Sequence, residues 1–380
     1  MKKLTVLLVL MALNTGGAET HVISLARQLK KEGVNVLVAS HGGELVKELS
    51  ASGIEHFSLP LHSKMPGSLC TSIFGLANIV KRYKVDLIHA HARIPAWVSQ
   101  WVSYITGCPY ITTSHGIYST SWGMGFLTAW GSKIIAVSED VREHLVKNFK
   151  VKPEKIYVIP NGIDLELFDP GVDTSSIQKE FGLGADEMKI VYISRLMGAR
   201  GEIALKLIEA LPEICSSFPK IKLLVVGEGD KLEAIKEQAE KYNAALKGQK
   251  IIVTGARLDT YAIMGLADVA VGVGRVALEA MAMKKPVIIA GEAGFMGILT
   301  PENFNDAKKH NFSGRGAMDK TDSSKLAAAI KQLLASPDWR KELGEFGRKK
   351  IEEYFSIKSM TKNVMEVYTK VLEESKKGSY

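Results

Sequence analysis

Short apolar runs alternate with helix-period segments along the whole 380-residue chain, and no other feature restricts its fold so far. A run that is apolar at most consecutive positions, rather than at every second one, suits a strand buried on both faces. Such strands belong to parallel sheets covered by helices on both sides. In the first half they are expected at Leu4–Leu10, Asn35–Ala39, Leu87–Ala90, Tyr110–Ser114, Lys133–Val137 and Ile156–Ile159. In the second they are expected at Lys189–Ile193, Lys222–Val226, Lys250–Thr254, Val269–Val273 and Pro286–Ala290. Each half opens with a buried strand, a glycine turn, an amphipathic helix and a second strand. Val22–Lys31 leading to Val34–Ala39 parallels Ala204–Ser217 leading to Lys222–Val226. Duplicated halves predict an α/β chain of two Rossmann-like domains whose parallel sheets face across a cleft. The length agrees, since one hydrophobic core rarely serves so long a chain. Turn residues cluster from Pro160-Asn161-Gly162-Ile163-Asp164 to Pro170-Gly171, which divides the chain into residues 1–165 and 166–354. The charged, helical tail Pro337–Lys377 ends in a helix, about residues 355–380, that packs on the second domain or crosses back to the first.

Composition removes several classes of function. An apolar fraction of 46% with 24% charged residues is that of a soluble globular protein. Cys70, Cys108 and Cys215 are far apart and form no CxxC pair, which argues against a disulfide framework or a zinc–thiolate site and fits a reducing compartment. Lys2-Lys3 before the apolar run Leu4–Leu13 imitates a signal peptide. However, the turn Asn14-Thr15-Gly16-Gly17-Ala18-Glu19 and the amphipathic His21–Lys31 follow at once, so cleavage would remove a strand the domain needs. No other apolar run approaches the ~20 residues that span a bilayer, and the expected location is cytoplasmic. The net charge is +8, and residues 1–165 hold 17 Lys and Arg against 11 Asp and Glu. Clusters such as Lys81-Arg82-Lys84 and Lys147/Lys150/Lys152/Lys155 are scattered over solvated helix faces and make no stripe with interleaved aromatics, so nucleic acid is not an expected partner. Trp97, Trp101 and Tyr104 share one helical face in this basic half. That face either packs in the core or makes a peripheral contact with an anionic membrane.

In parallel sheets, ligands bind beyond the carboxyl ends of the strands, where loops enter helix N-termini whose free N–H groups attract phosphate. Gly16-Gly17 after the first strand and Val226-Gly227-Glu228-Gly229-Asp230 after another are such loops. Neither is a GxGxxG fingerprint, and no GxxxxGK[ST] occurs. Arg195 and Arg200 flank Gly198 in a short loop after a strand, a clamp suited to a diphosphate because guanidinium forks bind phosphate oxygens in pairs. Gly272-Val273-Gly274-Arg275 leads into a further helix N-terminus and adds a cation. Glu279 is read as opening the helix Glu279–Met283, where it holds a ribose diol or merely supplies a favourable helix-start charge. Eight of the nine histidines precede residue 165. His89 and His91 end one strand on a shared face, and His115-Gly116 ends the next. Without a third ligand of clear spacing, or an Asp-x-Asp pair, no metal is expected.

Taken in order, several segments resemble glycosyltransferase family 4, retaining enzymes of GT-B fold. They are Gly16-Gly17-Ala18-Glu19 with His21, Val137-Ser138-Glu139, Asn161-Gly162-Ile163-Asp164, Ser194-Arg195-Leu196 through Arg200-Gly201, Val226-Gly227-Glu228-Gly229, and Glu279-Ala280-Met281-Ala282 with Lys285-Pro286. The resemblance implies a nucleotide-sugar donor such as a UDP- or GDP-sugar, a hydroxyl of a glycan or lipid-linked acceptor in cell-envelope synthesis, and retention of configuration. It implies no cofactor and no metal. Gly16 and Gly17 would let the donor diphosphate approach the backbone, and Arg195 and Arg200 would neutralise it as it leaves. Gly227 and Gly274 would line the donor, Glu279 would hold the ribose, and Gly255–Arg257 would face the base; Arg275 adds to the donor site a cation that the family pattern does not require there. His115 would touch the transferred sugar. One departure concerns the donor sugar: the family carries a second glutamate eight residues before Glu279, where this chain has Val271 in a shortened segment. A nucleotide-sugar epimerase of the same fold, or a nucleotide- or glycan-binding protein without turnover, are the competing readings.

Overall fold

The computed structural model describes residues 3–14, 16–120 and 128–376. The chain divides into two compact units, Met1–Gly162 with Ile357–Tyr380, and Ile163–Ser356. Lys2, Thr15 and Lys377 lie outside the described residues.

The first unit runs β1 (Thr5–Val9), α1 (Gly17–Lys31), β2 (Asn35–Ser40), α2 (Val46–Ala51), β3 (Glu55–Ser58), α3 (Pro66–Tyr83), β4 (Leu87–Ala90), α4 (Arg93–Thr106), β5 (Tyr110–Ser114), β6 (Ile134–Ala136), α5 (Glu139–Phe149) and β7 (Ile156–Val158). Its seven strands are all parallel, in the order β3-β2-β1-β4-β5-β6-β7. The apolar run of β1 is buried at all five positions because β1 lies inside the sheet, between β2 and β4. On one face Val22, Leu25 and Leu29 of α1 pack with Ile357, Met360, Val364 and Tyr368 of the C-terminal helix. On the other, Leu76 and Val80 of α3 and Val98 and Val102 of α4 close the second core.

The second unit runs α6 (Ser175–Glu180), β8 (Met188–Ile193), α7 (Gly198–Ser217), β9 (Ile221–Val226), α8 (Leu232–Ala245), β10 (Ile251–Gly255), α9 (Thr260–Gly265), β11 (Val269–Gly272), α10 (Arg275–Ala282), β12 (Val287–Gly291), β13 (Gly294–Ile298), α11 (Phe304–Lys309), α12 (Ser323–Ala335) and α13 (Pro337–Tyr354). The strand order is β10-β9-β8-β11-β12-β13, parallel except for β13, which folds back antiparallel on β12. Helices α7 and α12 cover one face through Leu207, Leu211, Ile330 and Leu333, and α9 and α10 cover the other. The last helix, α14 (Ile357–Lys376), belongs to the first unit. In each sheet the winding reverses once, between β1 and β4 and between β8 and β11. In parallel α/β sheets, ligands bind beyond the carboxyl ends of the strands at such a reversal.

Two strands escaped the sequence reading. β3 is an edge strand of intermediate and exposed residues, so it lacks a buried run. β13, Gly-Phe-Met-Gly-Ile, carries two glycines that weaken its strand signal. Helix starts also need correction. Helix α10 begins at Arg275, so Glu279 lies in its second turn and is no helix-start charge. Likewise α7 begins at Gly198, which moves Arg200 from the loop into the first turn of a helix.

Candidate functional site

In the first unit, three strand ends converge at the reversal between β1 and β4. Gly16 is the extended residue before α1, and its carbonyl accepts both the backbone N–H and the hydroxyl of Thr20. One turn on, His21 of α1 is buried, with 4% of its surface exposed. His91 follows β4 and is fixed by its N–H donating to the Val9 carbonyl at 2.8 Å. Its Nδ1 lies 3.2 Å from Nε2 of His115, the residue after β5. The His21 and His115 rings meet edge to face with centroids 4.9 Å apart. His89 belongs to the core instead, with Nδ1 2.7 Å from the Tyr368 hydroxyl and Nε2 2.7 Å from Thr113 Oγ1. Burial pushes His89 down to about 3 and His115 to about 4. His91 is held well below the usual histidine range by burial and then by the neighbouring imidazoles of His89, His115 and His21. At neutral pH these rings are uncharged, so His115 can donate or accept one hydrogen bond but offers no positive charge.

In the second unit, the loop after β8 is pinned by backbone. Ser194 N–H donates to the Val226 carbonyl, Leu196 N–H to Glu228, and Lys231 N–H to Leu196. That close approach demands glycine at Gly227 (φ +140°), where a Cβ would collide with the Ser194 carbonyl. The pinned loop leaves Arg195 exposed beyond the sheet. Arg200 is also exposed, and its Nε is 3.7 Å from the carboxylate of Glu292. Gly255 ends β10 and its carbonyl accepts from Gly227 N–H.

Arg257 and Arg275 are committed within the unit. The Arg257 guanidinium pairs with both carboxylate oxygens of Glu180 at 2.6 and 2.9 Å and with both of Asp259 at 2.7 and 2.8 Å. Gly274 (φ +59°) precedes α10, and its N–H is capped by the Phe312 carbonyl at 2.8 Å. Arg275 Nε donates to Glu279 Oε1 at 2.8 Å, with only 9% and 7% of the two residues exposed. Burial raises the Glu279 carboxyl, and the charge and hydrogen bond of Arg275 oppose that rise. Val271 is wholly buried in the core beneath α7 and α12, so that position faces no ligand.

Residues 15–167 match the model of Glycosyltransferase Family 4, and residues 173–350 match that of Glycosyl transferases group 1. This chain belongs to the group 1 glycosyltransferases of GT-B fold. It is similar to an uncharacterized glycosyltransferase of Methanocaldococcus jannaschii, 25% identical across 94% of this chain and 95% of that one. A crystal structure of a glycosyltransferase from Rickettsia africae is 27% identical, with TM-score 0.77 over 98% of this chain and 99% of that chain. Anabaena HepE, solved with UDP and glucose, shares the fold at 20% identity and TM-score 0.76, covering 97% of this chain and 100% of that one.

In this glycosyltransferase, sequence reasoning placed His91, His115 and Arg195 at strand ends but missed their neighbours. His21 reaches His91 and His115 from a different element, and no spacing rule links the three. Glu292 beside Arg200 and Asp230, whose Oδ1 accepts from Gly198 N–H at 3.0 Å, were missed for the same reason. Among the described residues no helix is long and apolar enough to cross a membrane. Trp97 packs against the core of the first unit, whereas Trp101 and Tyr104 are 45% and 71% exposed.

Proposed function

We propose that this glycosyltransferase is a hexosyltransferase. It moves a sugar from a nucleoside-diphosphate donor, such as a UDP- or GDP-sugar, to a hydroxyl of a glycan or lipid-linked acceptor, with retention and without a metal. The observation that carries this reading is the pair of exposed guanidinium groups, Arg195 and Arg200, at the carboxyl edge of the second sheet where its winding reverses. Breaking the glycosidic bond leaves negative charge on the departing diphosphate, and two fixed cations stabilise it as a divalent ion otherwise would. The Arg200–Glu292 pair is exposed and contributes little, so a phosphate displaces Glu292 at small cost. Glu279, oriented by Arg275, accepts from a ribose hydroxyl, and the neutral imidazole of His115 hydrogen-bonds the transferred sugar. Attack of the acceptor on the same face of an oxocarbenium-like centre then retains configuration. HepE, which shares this fold and was solved with UDP and glucose, is in keeping with a nucleotide-sugar donor.

The acceptor side is read from the first unit. Its basic surface and the exposed Trp101 and Tyr104 suit a protein held at the anionic inner face of a membrane, where lipid-linked envelope glycans are built. The test of the whole reading is incubation with radiolabelled UDP- and GDP-sugars and an acceptor panel, followed by NMR of the product anomer. Transfer with retention is expected. A free epimer, or hydrolysis without any acceptor product, would overturn it.

A further inference from the structure

His21, His91 and His115 each offer a ring nitrogen, and all three nitrogens lie within 4.8 Å of one another. Among the described residues no other group of histidine, cysteine and acidic side chains has that geometry. We propose that these three imidazoles form a binding site for a divalent transition metal ion, with zinc as the best-suited ligand. The site lies on three separate elements, α1, the end of β4 and the end of β5, so the sheet rather than a flexible loop holds it.

Distances and donor chemistry both point to a divalent transition metal, zinc among them. A tetrahedral zinc about 2.0–2.1 Å from each nitrogen keeps its ligands roughly 3.3 Å apart. His91 Nδ1 and His115 Nε2 already stand 3.2 Å apart, and small rotations of the rings close the remaining gap. Three nitrogens and no carboxylate suit zinc, cobalt, nickel or copper, whereas magnesium and calcium require oxygen. The site supplies three protein ligands and leaves the fourth position for water or an anion.

His89 serves as the internal comparison. It is an ordinary core histidine, with a hydrogen-bond partner for each ring nitrogen. His91, only 4% exposed, has Nδ1 engaged with His115 while its Nε2 has no hydrogen-bond partner. A buried polar atom left in that state is costly, which sets His91 apart from His89. Coordination through Nδ1, at the spacing His91 already keeps to His115, exchanges that contact for the metal and fixes Nε2 as the N–H nitrogen.

Metal binding does not depend on the proposed transfer reaction, but one consequence does. If His115 also contacts the donor sugar, zinc and donor compete for it, and zinc inhibits transfer. The test is titration of the full-length, metal-free protein with Co²⁺, read by the visible absorption of tetrahedral cobalt and by its displacement with Zn²⁺. We expect saturation at one ion per chain. His91→Ala and His21→Gln should each weaken binding by more than the ~10–100-fold that loss of an outer-shell contact costs. His62→Ala, in the exposed His41–His62 pair whose ring centroids are 3.7 Å apart, should leave binding unchanged. A weak octahedral spectrum in the wild type, or wild-type cobalt affinity in both His91→Ala and His21→Gln, overturns the site. Should His91→Ala fail to fold, His21→Gln alone decides. Tight binding without inhibition would support the metal site and instead overturn the contact of His115 with the sugar.

Discussion

At the scale of single residues, the four arginines assigned to the donor divide into two kinds. Arg195 and Arg200 are exposed, whereas Arg257 and Arg275 are locked into carboxylates of the second unit. Arg195→Ala and Arg200→Ala should therefore each cost about 1.5–3 kcal/mol in nucleoside-diphosphate binding, the worth of a charge-assisted contact, with no change in Tm. Calorimetric titration with UDP and GDP checks this, and unchanged affinity in both variants would remove the clamp. Arg275→Ala should behave differently. It leaves Glu279 buried and uncompensated, a loss of about 3–5 kcal/mol, which lowers the Tm of a unit this size by roughly 10 °C. Adding Glu279→Gln to Arg275→Ala should restore part of that loss. A thermal scan showing equal Tm for wild type and Arg275→Ala would mean that the pair is open to solvent. On the proposed contact of His115 with the transferred sugar, His115→Ala should reduce turnover far more than affinity for free UDP; normal turnover with poor UDP binding would contradict that.

Elements were legible where the signal is local. The mostly apolar runs of β1, β8 and β9 mark central strands buried on both faces, and a reader of the sequence finds them directly. β3 and β13 were not legible, since an edge strand and a glycine hairpin owe their existence to the neighbour they pair with. The same limit applies inside the first unit. His89 reads as a strand-end histidine, but its partner Tyr368 lies 279 residues away on α14. The burial of His89 carries a pH dependence. Above pH 6.5 neither the folded nor the unfolded chain protonates His89. As pH falls below 6.5 the unfolded chain takes up a proton, while the folded chain resists until about 3. Stability is therefore present above pH 6.5 and is lost progressively between 6.5 and 3, approaching ~1.4 kcal/mol per pH unit for each such histidine. His91 and His115 add to the loss over an overlapping range. Urea midpoints of the first unit measured from pH 7 to pH 4 should fall, and less steeply in His89→Gln. An equal slope in that variant would show that other groups govern the acid transition.

For the whole molecule, the chain passes between units twice, at Gly162–Ile163 and at Ser356–Ile357. Within the first unit Gly162 N–H meets Met360 Sδ at 3.1 Å, and within the second Ile163 N–H donates to the Phe355 carbonyl at 2.7 Å. The second unit is thus a continuous insertion whose two ends are adjacent, whereas the first is assembled from both ends of the sequence. Unequal behaviour on dissection follows. Residues 163–356 contain a complete six-stranded sheet, both of its cores and the candidate donor residues Arg195, Arg200, Gly227, Gly255, Arg257, Gly274, Arg275 and Glu279. Expressed alone, this fragment should fold cooperatively and bind nucleoside diphosphate. Residues 1–162 lack α14, and with it Ile357, Met360, Val364, Val367, Tyr368 and Val371, all buried in one core of the first unit. At about 1.5–3 kcal/mol for each large apolar side chain buried, their loss approaches the whole stability of a typical domain, ~5–15 kcal/mol. Fragment 1–162 should therefore be unfolded or aggregated, and a synthetic peptide of residues 357–376 should rescue it. Circular dichroism melts of both fragments and calorimetry of 163–356 with UDP decide the matter. A stable, cooperative 1–162 would show that α14 only covers a core already closed without it.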